Sequence, residues 1–474
     1  MAKKTEPFSY EPVDASPVKS FFVTMLTRDI SLADAILDLL DNCVDGILRT
    51  GVKKGEKPYA GHYAHISFDG DTFEIKDNCG GIPWDKHSYA FRMGRSREER
   101  SKDNGLATVG TYGIGMKRAL FKLGKDTLIS TQNKEHNYEV AIDEKWIAKE
   151  DLWEIPVQPG KSKHKDDGTT IVVGNLYEGV SKIFAEKNSE FETEFIKKVA
   201  GHYAFIIAKG FEVKVNKHIV PQKATKLAFA DIKTKFSIPS IRPFIYESKI
   251  NGVDVFLAVG FTRAIPSQEE AISQEDDLRY STLDAGWTVL CNDRAVLYCD
   301  KTELTGWGEA GVPSYHTQFI AISGVVEFSC DDASKLPTTT TKRGIDASST
   351  LYLQVKNKMR EGMRMFTDYT NKWKGRAEES KLHIESAPPR PISEIREAIP
   401  KLQTSKVTIA IGGRQYKPHL PMPAQSEPRM RTVTFKKDVG QIKAVSSYLF
   451  SNQDETPSKV GERCFEQIYK EAQK

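Results

Sequence analysis

One segment, from Ser31 to Gly51, constrains the fold more than any other part of the chain: SLADAILDLLDNCVDGILRTG. With helical periodicity, its acidic and amide side chains fall within about a third of the circumference. The remaining positions are apolar, which predicts a helix buried in a core. A buried polar stripe needs a cavity whose contents satisfy it, such as a metal ion, ordered water or a ligand's donor groups. We therefore expect the helix to line a site. The polar stripe consists of Asp34, Asp38, Asp41, Asn42 and Asp45.

The ends of the segment support the helix. Ser31 is a favourable N-cap, Asp34 can complete a capping box, and Gly51 can end the helix in a left-handed conformation. The alternative is a solvated acidic face. Such faces normally also carry Lys and Arg, and none occurs here before Arg49.

Length and composition fit a globular protein of two or three domains, with 474 residues and 39% hydrophobic residues. No apolar run is long enough to span a membrane and the N-terminus lacks a secretory signal, so we expect a cytoplasmic protein with no membrane partner. Six cysteines form no CxxC pair, which predicts reduced thiols rather than disulfides or a zinc site. The net charge of +4 neither requires nor excludes a polyanionic partner. Residues 84–102 and 356–376 are locally basic, for which a solvated face is the usual explanation and phosphate contact the alternative.

A hairpin is predicted from His65 to Lys76, where HISFDGDTFEIK alternates around a turn. The second strand runs into Asp77-Asn78-Cys79-Gly80-Gly81. A carboxylate at a strand end, followed by two glycines, permits a sharp turn and the close approach of a ligand. Asp77 would face that ligand. An ordinary Asx-turn between two elements is the alternative.

Glycines also open a second predicted helix, at Gly110, Gly113 and Gly115, with Lys117 following them. Backbone N–H groups at such a helix start can surround phosphate oxygens, and the helix dipole adds to the attraction. The spacing matches neither the P-loop nor the dinucleotide-binding fingerprint.

A strand begins at Gly168, and the next two residues are Thr169 and Thr170. A hydroxyl at this place can hydrogen-bond a ligand without crowding it. Alone, the three residues indicate only the start of a strand.

Taken in order, the acid-x-x-x-Asn helix, the Asp-Gly-Gly turn, the glycine-rich helix start and the Gly-Thr strand resemble the GHKL ATPases. This superfamily includes gyrase-type topoisomerases, the ninety-kilodalton heat-shock chaperones, sensor histidine kinases, MutL and the MORC proteins. The resemblance covers about residues 20–175 and implies an α+β fold with a Bergerat-type two-layer α/β sandwich. It also implies two cofactors, ATP and Mg²⁺.

The resemblance assigns roles to the matching positions. Asn42 would hold Mg²⁺, and Asp38, one turn earlier, would activate the attacking water, since residues four apart on a helix point the same way. Asp77 would accept the exocyclic amine of adenine and so select ATP over GTP. Further contacts to ATP are implied for Gly81, Gly110, Gly113, Gly115 and Lys117, with Thr169 or Thr170 supporting Asp77 through water.

Two positions depart from the family pattern. The water-activating residue is usually Glu, and Asp38 is shorter by one methylene, so hydrolysis is a weaker expectation than ATP binding. Cys79 stands where the turn normally has its first glycine, and Gly80 would supply the missing conformational freedom.

The second half of the chain resembles the S5-like transducer domain of the topoisomerase, MutL and MORC branch. Hairpins are predicted at 212–221 and 286–297, followed by a loop at 336–346 and a long helix at 347–373, whose apolar face predicts core or dimer packing. In that branch a loop lysine reaches the terminal phosphate, and Lys342 is the candidate; a surface lysine, or Arg343, is the alternative. We expect three domains: a GHKL ATP-binding domain at 1–225, a transducer-like domain at 226–374, and a linker with a small C-terminal unit at 375–474.

The leading hypothesis for function is an ATPase that acts as a switch. ATP would close a lid around residues 92–107, two protomers would form a homodimer through their N-termini, and hydrolysis would reopen them. The partner would be DNA, by fold-level analogy. The alternatives are an ATP-gated scaffold or protein-handling subunit with a protein partner, and a nucleotide-binding module without turnover.

Overall fold

The computed structural model describes residues 18–52, 55–94, 108, 113–134, 136–161, 165–186, 190–223, 225–233, 235, 238–267, 285–339, 342, 344–407, 412–423 and 433–473. Gly110, Arg343 and residues 95–107 of the predicted lid lie outside these ranges. The chain forms two compact units, Met1–Met422 and Pro423–Lys474. Helices and antiparallel-rich sheets are mixed in the first unit, which agrees with the predicted α+β class.

The N-terminal half of the first unit contains an eight-stranded sheet in the order β5-β4-β3-β6-β2-β1-β7-β8. All neighbouring strands are antiparallel except β1 and β7. The predicted hairpin at 65–76 is confirmed as β1 and β2, with Phe68 opposite Phe73. The strands are β1 (Tyr63–Phe68), β2 (Phe73–Asp77), β3 (Gly124–Asn133), β4 (His136–Ile142), β5 (Val157–Pro159), β6 (Gly168–Leu176), β7 (Glu212–Val215) and β8 (His218–Ile219).

Helices form the second layer against this sheet. The predicted acidic helix is confirmed as α2, and the Ser31 hydroxyl caps it by accepting the Asp34 amide at 3.2 Å. Its apolar residues Ile36, Leu40 and Val44 are buried in the core of this half. The helices are α1 (Lys19–Arg28), α2 (Leu32–Thr50), α3 (His87–Phe91), α4 (Gly115–Leu123), α5 (Glu144–Ile147), α6 (Glu178–Ala185), α7 (Glu190–His202) and α8 (Ala204–Ala208).

A second sheet follows in the same unit, with seven strands in the order β13-β12-β14-β11-β10-β17-β16. The predicted long helix is confirmed as α9, whose residues Met359, Met363 and Phe366 are fully buried on one face of this sheet. The strands are β9 (Lys226–Ala228), β10 (Phe244–Ile250), β11 (Val253–Phe261), β12 (Gly286–Cys291), β13 (Arg294–Asp300), β14 (Ile322–Ser329), β15 (Pro389–Pro391), β16 (Ser405–Lys406) and β17 (Arg414–Tyr416), and the helices are α9 (Thr350–Lys372), α10 (Ala377–Glu385) and α11 (Ile392–Ala398). Strands β9 and β15 pair separately.

Residues 375–422 differ from the predicted linker. Strand β17 pairs with β10, and α11 buries Ile392 and Ile395 in a cluster with Ile245 and Phe256 of the sheet. Two of the prolines that suggested a linker lie in the three-residue strand β15, and one of them, Pro391, is also the N-cap of α11. This segment therefore covers the second face of the sheet.

The second unit contains helices α12 (Val439–Phe450) and α13 (Pro457–Ala472). Asp438 caps α12 and Thr456 caps α13 through their side chains. Among the residues described, no helix has the length and apolar character needed to cross a membrane.

Candidate functional site

An open cleft with about 1210 Å³ of empty space, its mouth included, lies between α2, the β2–Gly81 turn, α4 and β6. It brings together most of the residues that the sequence singled out. Those that line it are Asp38, Asn42, Asp77, Gly81, Gly113, Gly115, Lys117, Thr169 and Lys342.

The polar stripe of α2 divides between two environments. Asn42 is exposed in the cleft, whereas Asp38 is 4% exposed, and Asp41 and Asp45 are each 1% exposed. Asp38 and Asp45 also line the cleft, but Asp41 does not. Three of the five stripe residues therefore serve a cavity, as expected, whereas Asp34 and Asp41 do not line it.

Asp38 lies under the first turn of α4. An added Cβ at Gly115 would come within 3.3 Å of the Asp38 side chain, so glycine is what lets the two helices approach here. The Arg118 Nε donates to Asp38 Oδ2 at 3.1 Å, and Nη2 donates to the same oxygen. The carboxylate that sequence analysis assigned to water activation is thus held in an ion pair with Arg118.

Asp41 is a fixed counter-ion between the two halves of the first unit. Its Oδ1 accepts Arg294 Nε of β13 at 2.9 Å and the Tyr203 hydroxyl, and its Oδ2 accepts Lys342 Nζ at 3.2 Å. Burial opposes ionisation of this carboxyl, but the charges of Lys342 and Arg294 outweigh it and hold the pKa well below its usual range. Asp41 is therefore ionised at neutral pH.

The β12–β13 turn brings Arg294 to this position, and the turn is itself anchored. Asp293 accepts the Tyr59 hydroxyl at 3.0 Å and pairs with Lys209 Nζ at 2.6 Å. Asn292 donates to the carbonyl of Thr108 at 3.2 Å. The predicted hairpin at 286–297 is confirmed, and its turn is docked against the N-terminal half.

Asp77 lies where the predicted turn begins, half-buried at one end of the cleft. Its Oδ1 accepts the Cys79 amide at 2.7 Å, and the Cys43 thiol lies 3.5 Å from Oδ2. Burial raises the pKa of Asp77 to about 6, against the lowering effect of hydrogen bonds from Cys79, Cys43 and the Thr169 backbone. Because this pKa lies close to neutral pH, Asp77 is mostly but not completely ionised there.

The turn after Asp77 obtains its freedom from the two glycines. Gly80 has φ +94° and Gly81 has φ +66°, whereas Cys79 is not among the residues with positive φ. Cys79 is accommodated because Gly46 faces it on α2, where an added Cβ would lie 2.4 Å from the Cys79 carbonyl oxygen. The predicted compensation by Gly80 agrees with this geometry.

The Gly-Thr strand places its two threonines differently. Thr169 lines the cleft, and its Oγ1 lies 3.1 Å from Oγ1 of Thr131. The Thr131 hydroxyl in turn accepts a hydrogen bond from the Ile82 amide at 2.8 Å. Thr170 is not among the residues that line the cleft, because successive strand residues point to opposite faces. Of the two alternatives, the geometry favours Thr169 as the neighbour of Asp77.

The start of α4 supplies the expected backbone groups and two cations. Gly113 adopts φ +69° just before the helix. Lys117 is 2% exposed, and its Nζ donates to the Ala90 carbonyl at 2.8 Å. Arg118, the next residue, also lines the cleft. Sequence analysis missed Arg118, although a second basic residue directly after Lys117 could have indicated it.

Lys342 reaches the cleft from the loop before α9. Its backbone has φ +56°, uncommon for a residue with a side chain, and its amide donates to the Thr339 carbonyl at 2.9 Å. The side chain is 13% exposed and lies between the cleft and Asp41. This is a buried, paired lysine, which disfavours the alternative of a surface loop residue.

The donor set fits Mg²⁺. Among the described residues, no three His, Cys, Asp or Glu side chains are grouped to hold a metal by themselves. Mg²⁺ commonly takes one or two protein oxygens and completes its shell with phosphate oxygens and water. The exposed amide of Asn42 in the cleft is such an oxygen donor.

Three further residues with contacts to the stripe or to Asp77 were not predicted from the sequence. Cys43 was interpreted only as part of the apolar face of α2, although it contacts Asp77. Tyr203 and Arg294 carry no local motif; the only signal for Arg294 was its place beside a predicted turn. Their importance arises from contacts between residues far apart in sequence.

Comparison with protein-family models gives a match in the first part of the chain. Residues 30–171 match the family model described as "Histidine kinase-, DNA gyrase B-, and HSP90-like ATPase". No curated protein matches the chain. The matched segment contains α2, the Asp77 turn, α4 and the first half of β6, which together form most of the cleft. Residues 30–171 are therefore similar to the ATPase domain that this family model describes.

Proposed function

We propose that the chain binds ATP and Mg²⁺ in this cleft, hydrolyses ATP, and uses the cycle as a nucleotide-driven dimerisation switch. The observation that carries the proposal is the arrival of Lys342, from the second half of the unit, in a cleft otherwise built by residues 38–171. A cation from outside the nucleotide domain gives that second half a means of sensing the bound nucleotide. The second sheet with α9 is, on this proposal, a transducer-like domain.

Each residue has a defined part in the proposed reaction. Asp77 accepts the adenine amine, with Thr169 beside it, while Gly113 and Gly115 present backbone N–H groups to the phosphates. Mg²⁺, held by Asn42, would neutralise charge on the phosphate oxygens. Asp38 orients the attacking water, and Lys342 contacts the terminal phosphate.

Helix α1 offers a surface for the homodimer contact. Val18, Phe21 and Met25 are 53%, 65% and 52% exposed and lie about one turn apart along the helix. An apolar strip of this kind is suited to contact a second copy of the same helix. The proposal therefore places the ATP-dependent interface at α1.

Sedimentation of the full chain tests the switch, with a non-hydrolysable ATP analogue in one sample and ADP in the other. A dimer is expected only with the analogue, and phosphate release should accompany ATP. Phe21→Glu should abolish the dimer and leave ATP affinity unchanged. Leu382→Glu is the matched control, because Leu382 is 70% exposed on α10. The same sedimentation with both nucleotides would contradict the proposed switch.

A nucleotide-gated scaffold with a protein partner and no turnover is the second candidate. The observation in its favour is the ion pair that occupies Asp38, the proposed water-orienting carboxylate. The two candidates separate on one measurement, the release of phosphate by the purified chain. Absence of release together with tight ATP binding would favour the scaffold.

DNA is the partner that the resemblance favours, and the described residues add little support. In the basic stretch of α9, Lys356 and Arg360 both pair with Glu309, and Lys358 pairs with Glu361. These three cations share two carboxylates, so their charge is partly compensated within the chain. A binding curve against duplex DNA, with and without the ATP analogue at two salt concentrations, tests the partner. No binding in either state would remove DNA from the proposal.

A further inference from the structure

We propose that Arg118 is a positioning residue that senses the terminal phosphate of a nucleoside triphosphate and releases Asp38 when that phosphate arrives. The inference rests on the proposed function, because it requires ATP to bind in the cleft. Arg118 lies in the first turn of α4, and its side chain is 13% exposed and lines the cleft.

The contact geometry shows what Arg118 does before nucleotide binds. Both Nε and Nη2 donate to one oxygen, Asp38 Oδ2, with the Nε distance at 3.1 Å. A carboxylate oxygen has two lone pairs, so two donors fill the hydrogen-bonding capacity of Oδ2. This oxygen of the carboxylate is therefore occupied by Arg118 rather than by an attacking water. The ion pair thus holds Asp38 in a resting arrangement.

The neighbouring cation is placed differently. Lys117 directs Nζ to the Ala90 carbonyl, at 2.8 Å, although it precedes Arg118 in the same turn. The guanidinium of Arg118, in contrast, donates directly to the proposed water-orienting residue. Its planar set of N–H donors matches a phosphate group as well as a carboxylate.

A terminal phosphate can compete for Arg118 because it carries more charge and more acceptor oxygens than one carboxylate. When the guanidinium turns to the phosphate, Oδ2 of Asp38 becomes available to water beside the same phosphate. ADP lacks the third phosphate that would compete with Asp38 for Arg118, so the Asp38–Arg118 pair persists with ADP. Binding of the triphosphate and release of Asp38 from its ion pair therefore occur together.

The ratio of ATP affinity to ADP affinity tests the inference, measured by calorimetry on the full chain with Mg²⁺. For Arg118→Met we expect ATP affinity to fall about 10- to 100-fold, the size of a charge-assisted contact, with ADP affinity unchanged. For Asp38→Asn we expect the reverse: ATP binds more tightly, by about fivefold, because Arg118 no longer has an anionic competitor. Turnover should be lost in that variant.

Two further variants keep the test decisive. Arg118→Met removes this ion pair from buried Asp38, so the double variant with Asp38→Asn removes both charges and should fold while keeping the low ATP-to-ADP ratio. Lys122→Met is the control: its Nζ donates to the Thr27 carbonyl at 3.0 Å and the residue does not line the cleft. The control should leave the ratio unchanged.

Other outcomes overturn the inference in distinguishable ways. Equal losses of ATP and ADP affinity in Arg118→Met and in the double variant would make Arg118 a structural brace only. An unchanged ratio in Asp38→Asn would show that the ion pair does not compete with the phosphate. If the unmodified chain binds neither nucleotide, the proposed function itself fails.

Discussion

Replacing Asp77 by asparagine should stabilise the nucleotide-free protein at neutral pH while weakening its affinity for ATP. The carboxylate is half-buried beside Cys43 and Cys79, and its pKa rises from 3.8 to about 6. A difference of about two units corresponds to about 3 kcal/mol at about 1.4 kcal/mol per unit. Because Asp77 keeps part of its surface in an open cleft, water screens the effect, and about 1 to 2 kcal/mol is the expected gain.

The sign of the pH dependence follows from the direction of the shift. The folded-state pKa of Asp77 lies above its unfolded value, so the folded state binds the proton more tightly. Its contribution to stability is fully present below about pH 3.8 and is lost as the pH rises through about 6. Asparagine does not titrate, so the advantage of Asp77→Asn should grow between pH 4.5 and pH 7.5.

Urea unfolding of both proteins without nucleotide, at pH 4.5 and pH 7.5, measures this difference. Asp69→Asn, in the turn of the same hairpin, is a control of opposite sign, since the amides of Asp71 and Thr72 hold the pKa of Asp69 below its usual value. That variant should lose stability at both pH values, because a lowered pKa makes Asp69 stabilising above its unfolded value of 3.8, and its difference from the unmodified protein should hardly change between them. A stability difference for Asp77→Asn that does not change with pH would refute the reasoning.

Calorimetry at pH 7.5 supplies the second half of the test. The amide retains one acceptor but adds a donor facing the adenine amine, so ATP affinity should fall about tenfold or more. A stabilised variant with unchanged ATP affinity would separate the two claims: burial of Asp77 would hold, and its contact with adenine would not.

Three other substitutions test the remaining roles. Asp38→Ala should retain ATP binding and lose phosphate release; persistent turnover would move the base to the other α2 carboxylate that lines the cleft, Asp45. Lys342→Ala should slow hydrolysis or dimer closure and leave ADP affinity intact, because Asp41 keeps Arg294 and Tyr203 as partners. If the variant loses ADP binding in a binding assay, the assignment of Lys342 to the terminal phosphate is contradicted. Arg294→Met should destabilise the fold by about 3 to 5 kcal/mol in urea unfolding, because buried Asp41 loses one of its charged partners. Adding Asp41→Asn should recover most of this loss. A double variant no more stable than Arg294→Met would show that Arg294 acts through packing alone.

Local patterns in the sequence predicted the nucleotide domain because its elements are short and regular. The capped helix α2, the β1–β2 hairpin and the glycines after Asp77 each contain their determinants within about twenty residues. The choice between Thr169 and Thr170 could not be made from composition, since it depends on which face of β6 meets the cleft. Residues 375–422 were misinterpreted as a linker because the burial of α11 depends on a sheet formed more than a hundred residues earlier.

The helix that lines the cleft, α2, also contacts the second half of the unit, through a different face. Asn42 and Asp38 face the cleft, whereas Asp41, adjacent to Asn42 in sequence, holds Arg294 and Lys342 from two separate loops of the second half. Arg294 is 2% exposed and fixed, but Lys342 also borders the cleft, where the proposed terminal phosphate would give it an alternative partner. Asp41 can release Lys342 without becoming an unpaired buried charge, because Arg294 and Tyr203 remain. The energetic barrier to moving the lysine is thereby reduced, and this is the property that a nucleotide-sensing loop requires.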